Sequence, residues 1–310
     1  EVGERITSFG PHAFNGCSRL ETISLGEKVR SIGEKAFYGC IGFTGSLTIP
    51  NSVTTIGCQA FYNCSGFDGN LTLSQNVTTI GESTFEGCTK FNGELTIPES
   101  VKTIGNSAFA SCYGFTGLTS KQGLTSIDIC GFYDCNGFKG DLIIPDSVET
   151  IGNNAFQGCS KLDGNLKLSS SLTEIGNNAF QNCNEITGEL SIPYGVTKIG
   201  RSAFTGCAKL TKLTIPDTVT VINESAFTSC KGLSGDLEIP NSVTTIAYSA
   251  FSSCDGLNGK CYIPDSVTSF GNNIFSNCQF SYVSVPYGME DSTISNLKLN
   301  KNCTVERRPY

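Results

Sequence analysis

Cysteine is the residue with the most chemistry to offer in this sequence, because 310 residues include 16 cysteines but a single histidine, His12. Cysteines can form disulfides, hold zinc or act as nucleophiles. Zinc sites usually draw on short C-x-x-C pairs, and the sequence contains none. No Ser/His/Asp grouping, carboxylate pair or phosphate-binding glycine loop stands out either. We therefore expect a chain that is not an enzyme, with no catalytic, cofactor-binding or metal site.

Twelve of the cysteines share one context, in which each follows a phenylalanine by three residues within the pattern Ala-Phe-x-x-Cys or a near copy of it. Successive members are 24 residues apart in eight intervals and 23 apart in three. These ladder cysteines are Cys17, Cys40, Cys64, Cys88, Cys112, Cys135, Cys159, Cys183, Cys207, Cys230, Cys254 and Cys278. Like residues at one repeat position point the same way, which spoils disulfide geometry, so we expect reduced and buried thiols.

The other four cysteines, Cys58, Cys130, Cys261 and Cys303, fall outside this register. Cys261 replaces a strand leucine and is expected to be buried. The sequence offers no obvious disulfide partner for the other three.

The secondary structure of one coil can be predicted from a single repeat, Cys40 to Cys64. Leu47-Thr48-Ile49 alternates as a strand does, and Pro50 ends it because proline cannot donate to the ladder. The segment from Val53 to Ile56 predicts a second short extended stretch. Ala60 to Cys64 then predicts a single helical or 3₁₀ turn.

A repeat of this kind predicts an α/β repeat solenoid of about twelve coils of 23–24 residues, because a single coil cannot bury its apolar face alone. We expect the solenoid to occupy residues 1–279. Residues 280–310 lose the Ala-Phe motif and are expected to form a C-terminal cap.

A longer period of 95 residues separates the three short intervals, which begin at Cys17, Cys112 and Cys207. We interpret it as tandem duplication of a four-coil unit. Each short coil is expected to omit one residue between the cysteine and the strand. The leucine and phenylalanine ladders should then stay continuous, with no break or slip of register at Leu118 or Leu213.

The pattern C-x-x-[LF]…L-x-I-P-x-S-V-T-x-I-G-x-x-A-F-x-x-C resembles the BspA-like, Treponema pallidum-type, leucine-rich repeat family over residues 1–290. The resemblance implies a right-handed leucine-rich-repeat superhelix with a parallel sheet on its concave face. It also implies a cell-surface or extracellular location and adhesion to host matrix proteins or cells. We expect a fragment of such a protein, whose signal and anchor are outside this sequence.

Charge and hydropathy exclude two classes of partner. A net charge of −7 disfavours nucleic acid, which needs clustered Lys and Arg. The densest apolar run, Leu142-Ile143-Ile144, is far shorter than the roughly 20 residues that span a bilayer. We expect a monomer with a protein ligand and no membrane insertion.

Recognition is expected on the residues that flank each strand leucine, because these project from the sheet face. Most are small and polar, but Glu94, Asp141 and Glu189 make the middle acidic, and Tyr262 and Tyr282 place aromatic side chains near the C-terminus. The candidate protein-binding residues are Tyr262, Tyr282, Lys260, Asp236, Glu238, Ile143 and Glu189. The leading hypothesis is a non-enzymatic adhesion scaffold, and the alternative is a structural spacer without a specific ligand.

Overall fold

The computed structural model describes residues 5–309, which form short strands joined by turns. In chain order the elements are β1 (Ser8–Phe9), β2 (Ser31–Ile32), β3 (Leu47–Thr48), β4 (Thr55–Ile56), β5 (Leu71–Thr72), β6 (Thr79–Ile80), β7 (Glu94–Ile97), β8 (Thr103–Ile104), β9 (Gly117–Ser120), β10 (Ser126–Ile127), β11 (Leu142–Ile143), β12 (Thr150–Ile151), β13 (Leu166–Lys167), β14 (Glu174–Ile175), β15 (Thr187–Ser191), β16 (Lys198–Ile199), β17 (Lys209–Thr214), β18 (Val221–Ile222), β19 (Leu237–Glu238), β20 (Thr245–Ile246), β21 (Lys260–Tyr262), β22 (Ser269–Phe270), β23 (Tyr282–Val285), α1 (Asp291–Leu297) and β24 (Thr304–Arg307).

Most coils contribute two strands, and all strand pairs are parallel, as in a solenoid. The first row of strands contains the leucine of the L-x-I segment, as Leu47 in β3. The second row contains the isoleucine that comes before the Ala-Phe-x-x-Cys segment, as Ile56 in β4. The prediction of a repeat solenoid is confirmed. The longest sheet, however, belongs to the second row, where β6 to β22 form nine hydrogen-bonded strands.

The first row is divided into shorter sheets, which are β3-β5, β7-β9, β11-β13, β15-β17 and β19-β21-β23-β24. The predicted register holds in the short coils, because Leu95 pairs with Leu118 and Leu190 pairs with Leu213. A bulge lies between the Gly188 and Glu189 pairs, where Thr211 of β17 has no paired residue in β15, and the register is regular from there to Leu213. The prediction of an uninterrupted leucine ladder was wrong, because the first-row sheet stops after β5, β9, β13 and β17, in ordinary coils as well as in short ones.

A glycine near the start of most first-row strands differs in conformation between the two coils of a paired set. Gly45, Gly93, Gly140, Gly188 and Gly235 have positive φ, and each lies in the first coil of a paired set. Gly69, Gly164 and Gly259, in the second coils of their sets, do not have positive φ. The step into the strand therefore alternates between two conformations along the solenoid. The second row is interrupted once, between β4 and β6, because β1, β2 and β4 form a separate three-stranded sheet.

The segment around Ala-Phe-x-x-Cys is neither a helix nor a 3₁₀ turn, which corrects the prediction made for it. The N–H groups of Ser83, Phe85 and Gly87 donate to carbonyl oxygens of the next coil at 2.8–2.9 Å. The N–H groups between them donate three residues back, as Thr84 does to Gly81 at 3.3 Å. The segment is thus a run of overlapping β-turns in which alternate N–H groups join neighbouring coils.

Two residues with positive φ in every coil prevent a helix at this place, because a helical residue needs negative φ. Those before the Ala position are His12, Lys35, Gln59, Ser83, Ser107, Cys130, Asn154, Asn178, Ser202, Ser225, Ser249 and Asn273. Those before the cysteine are Gly16, Gly39, Asn63, Gly87, Ser111, Asp134, Gly158, Asn182, Gly206, Ser229, Ser253 and Asn277. Gly, Asn and Asp tolerate this conformation best, so their enrichment here has a conformational cause.

Stacked side chains fill the inside of the coils. The rings of the Ala-Phe motif stack along the axis, with centroids 5.3 Å apart for Phe37 and Phe61 and 5.4 Å apart for Phe156 and Phe180. The phenylalanine ladder also crosses the short coil, at 5.5 Å between Phe109 and Phe132. One continuous core therefore follows the solenoid axis, and each coil depends on its neighbours for burial.

The C-terminal residues begin by continuing the first row. Strand β23 pairs with β21 in register, with Lys260 opposite Tyr282 and Tyr262 opposite Ser284. Helix α1 follows, and β24 then adds a further parallel strand beside β23. The segment that we expect to act as the cap, 280–310, thus supplies two strands of the last first-row sheet.

Candidate functional site

The four-stranded sheet β19-β21-β23-β24 brings five of the seven candidate residues together. Leu237 pairs with Cys261, so the residues on either side of them form two outward rows. One row contains Asp236, Lys260 and Tyr282, and the other contains Glu238 and Tyr262. These five residues are called the tyrosine patch below. The buried Cys261 between Lys260 and Tyr262 confirms the expectation for that cysteine.

The aromatic pair lies at the centre of the tyrosine patch. The rings of Tyr262 and Tyr282 are 6.0 Å apart between centroids and tilted by 57°. The ammonium of Lys260 lies over the Tyr282 ring, 5.9 Å from its centroid. Tyr262 remains 46% exposed. The patch therefore offers apolar ring surface and one cation in a single preformed arrangement.

Residues of β24 and its successor complete this surface, and the sequence analysis did not identify them. The Tyr282 hydroxyl donates to the Glu306 carboxylate, and this bond raises the pKa of the Tyr282 phenol. Arg308 donates to the Ser284 hydroxyl at 3.1 Å and forms an ion pair with Asp265 at 2.6 Å. Ser284 is consequently buried, although its strand position predicts exposure. The alternating segment Thr304–Arg307 is the sequence signal that could have revealed this extra strand.

The other two candidate residues lie elsewhere. Ile143 is 55% exposed on β11, and Glu189 is exposed on β15, each in a different first-row sheet from the patch. The acidic middle is also engaged within the solenoid. Glu189 lies 3.7 Å from the Lys212 ammonium, and Asp141 accepts the Asn165 backbone N–H at 2.8 Å. These carboxylates are not grouped in one site.

The ladder cysteines contribute to the core. Eleven of the twelve are buried and Cys17 is half-buried. Burial raises the pKa of the Cys88 thiol to about 12, so this thiol stays protonated and unreactive at neutral pH. Among residues 5–309, no group of His, Cys, Asp or Glu side chains is arranged to hold a metal ion. In the same range, no helix has the length and hydropathy to cross a bilayer.

Comparison with protein families agrees with this architecture. A family model described as "BspA type Leucine rich repeat region (6 copies)" matches residues 1–116, 68–187, 126–258 and 187–304, which together cover nearly the whole chain. A search of curated protein sequences found no significant match.

Several solved structures similar to this chain are of bacterial proteins. A leucine-rich repeat protein from Bacteroides ovatus is 26% identical, with a TM-score of 0.82, over 100% of this chain and 77% of its own. A leucine rich cell surface protein from Faecalibacterium prausnitzii is 26% identical, with a TM-score of 0.58, over 98% of this chain and 84% of its own. The pneumococcal vaccine antigen PcpA, 17% identical with a TM-score of 0.51 over 100% of this chain and 91% of its own, shares the fold alone.

Proposed function

Because this chain belongs to the BspA-type leucine-rich repeat proteins, we propose that it is a non-enzymatic, extracellular protein-binding scaffold that contacts its ligand through the tyrosine patch. Proteins of this family are binding scaffolds of the bacterial surface-protein type, and one structural relative is described as a cell surface protein. The proposal extends this role to adhesion to a host matrix protein or cell.

The single observation that carries the proposal is the arrangement of Tyr262, Tyr282 and Lys260. Tyrosine side chains add large contact area at a low conformational-entropy cost, and they are enriched among residues that dominate protein interfaces. The two rings contact each other and lie on paired strands, so their positions are fixed before a ligand arrives. Preorganisation of this kind reduces the entropy lost on binding.

Charges around the rings favour a partner of mixed charge. Asp236, Glu238 and Glu306 surround the tyrosines, and Lys260 lies between them. The carboxylates would guide a basic segment of a ligand toward the rings, and Lys260 would receive an acidic group.

The test is binding of the purified chain to immobilised fibronectin, laminin and collagen, compared with the double variant Tyr262→Ala/Tyr282→Ala. We expect the chain to bind at least one of these proteins. The double variant should bind it at least tenfold more weakly, while its melting temperature stays nearly unchanged, because truncating an interface anchor typically removes more than about 1.4 kcal/mol.

The matched control is Tyr194→Ala/Tyr248→Ala, which removes two tyrosines that are 71% and 48% exposed outside the patch. This control should bind like the unchanged chain. Equal binding by the patch variant would refute the assignment of the surface. No binding to any matrix protein would refute adhesion to the host matrix and favour a structural spacer.

A further inference from the structure

A second polar groove lies on the nine-stranded sheet, away from the tyrosine patch. It is lined by Glu174 and Lys198 of the second row, by Thr173 and Thr197 directly before those strands, and by Asn153 and Asn177 from the turns after β12 and β14. Because it runs across neighbouring coils, a ligand in it would contact several repeats at once.

Most second-row strands have Ser or Thr at the outward position, and two residues of this groove depart from that pattern. The outward residue of each second-row strand from β2 to β22 is Ser31, Thr55, Thr79, Thr103, Ser126, Thr150, Glu174, Lys198, Val221, Thr245 or Ser269. Glu174 and Lys198 are the charged members of this series. They occupy adjacent strands, because Ile175 pairs with Ile199.

The two charges are not satisfied within the protein. Neighbouring side chains of opposite charge in a sheet usually attract each other. In residues 5–309, however, neither the Glu174 carboxylate nor the Lys198 ammonium forms a hydrogen bond or an ion pair with another residue. Both side chains are exposed and face the groove.

The asparagines supply donors to the same groove. Asn153 Oδ1 accepts the Asn177 backbone N–H at 2.7 Å, and Asn177 Oδ1 accepts the Arg201 backbone N–H at 2.8 Å. These bonds fix the orientation of both side-chain amides, and the N–H groups of their Nδ2 atoms remain available to donate to a ligand. The Thr173 hydroxyl donates to the Glu149 carbonyl oxygen at 3.1 Å, so its remaining lone pairs can accept.

We propose that this groove binds the hydroxyl groups of a neutral carbohydrate chain. The groove combines an acceptor-only carboxylate, a donor-only ammonium, amide donors and hydroxyls. A sugar hydroxyl both donates and accepts, so one class of ligand satisfies all of these groups. The groove is open and lined mainly by polar groups, which disfavours an apolar small molecule.

Saturation-transfer NMR with cellohexaose, laminarihexaose, mannohexaose and chitohexaose tests this proposal on the full chain. We expect transfer to at least one hexaose and at least a fivefold loss in Glu174→Thr/Lys198→Thr, which restores the residue type of the neighbouring Thr150. The control Lys102→Thr/Glu149→Thr makes the same two changes on exposed residues outside the groove and should leave the signal unchanged.

Absence of transfer to every hexaose would overturn the proposal, and so would equal transfer in the groove variant and its control. Loss of binding to a matrix protein in the groove variant, without loss of any hexaose, would show that the groove is a protein-docking surface instead. The tyrosine patch variant should retain hexaose binding, which keeps this result separate from the proposed adhesion.

Discussion

The Sγ atom of Cys64 donates a hydrogen bond to the backbone carbonyl oxygen of Phe37 in the preceding coil, at 3.0 Å. The same oxygen accepts the Cys40 backbone N–H at 3.2 Å. This relationship recurs along the ladder, up to Cys278 and Phe251 at 3.1 Å. The eleven ladder cysteines from Cys40 to Cys278 therefore each join two coils by a hydrogen bond in addition to filling the core.

The first prediction compares two substitutions in one coil. Cys159→Ala should lower the free energy of unfolding by about 1 kcal/mol, because it removes a small buried group and a weak hydrogen bond to Phe132. Phe156→Ala should lower it by about 3–5 kcal/mol, because it opens a cavity between stacked rings. Urea unfolding followed by circular dichroism measures both. Equal losses would contradict the roles assigned to the two ladders.

The second prediction concerns the redox state of the thiols. Alkylation of the native protein should label Cys58 fastest, because Cys58 is exposed, and should leave the buried ladder cysteines unmodified. Denaturation without reductant should then expose all the ladder thiols to the reagent. Peptide mapping by mass spectrometry provides the readout. Disulfide-linked peptides from neighbouring coils would show that the ladder is oxidised.

The third prediction is a loss of stability at alkaline pH. Burial raises the pKa of Cys88 and Cys207 to about 12, whereas an unfolded thiol titrates near about 8.5. The unfolded chain therefore loses protons first as the pH rises, and the stability present below about pH 8.5 declines between about 8.5 and 12.

At pH 9.5 each such thiol should lower the free energy of unfolding by about 1.4 kcal/mol. Urea midpoints measured between pH 7 and 10 test this effect. A control with Cys88→Ala and Cys207→Ala should show a shallower decline. A stability independent of pH over this range would contradict the assignment of buried neutral thiols.

The fourth prediction distinguishes overlapping β-turns from a helical turn. Ser225 has a φ of 56°, so Ser225→Gly should be neutral or stabilising, whereas Ser225→Val should lower the free energy of unfolding by about 1–2 kcal/mol. In a helical turn, Ser225→Gly would instead lower the free energy of unfolding more than Ser225→Val. Thermal unfolding of both variants decides between the two conformations.

The repeat made most of the fold predictable, because strand alternation and the Phe-x-x-Cys spacing recur along the chain, and a proline ends most strands of the first row. The Ala60 to Cys64 segment was wrongly predicted to be a helical turn because its apolar spacing also fits a helix. The serines, asparagines and glycines at the two positive-φ positions were the sequence feature that argued against a helix. The division of the first row accompanies a difference in φ between residues such as Gly45 and Gly69, which have the same side chain and so cannot be distinguished by residue type.

The candidate site was predictable in part. Strand alternation places Lys260, Tyr262 and Tyr282 outward, and the structure adds their contacts. Glu306 and Arg308 were missed because a gap in the repeat separates them from the strand that they join. Ile143 and Glu189 share the strand position of the patch residues but lie on other sheets, which residue type alone does not reveal.

Hydroxyl-radical footprinting of the chain, alone and mixed in turn with fibronectin, laminin and collagen, tests the proposed binding surface most directly. Tyr262 and Tyr282 should become protected with at least one of these proteins, because the ligand would cover the tyrosine patch. Tyr194 and Tyr248 should react equally in all samples. Protection of Tyr194 or Tyr248 without protection of the patch, or no protection with any of the three proteins, would contradict the account.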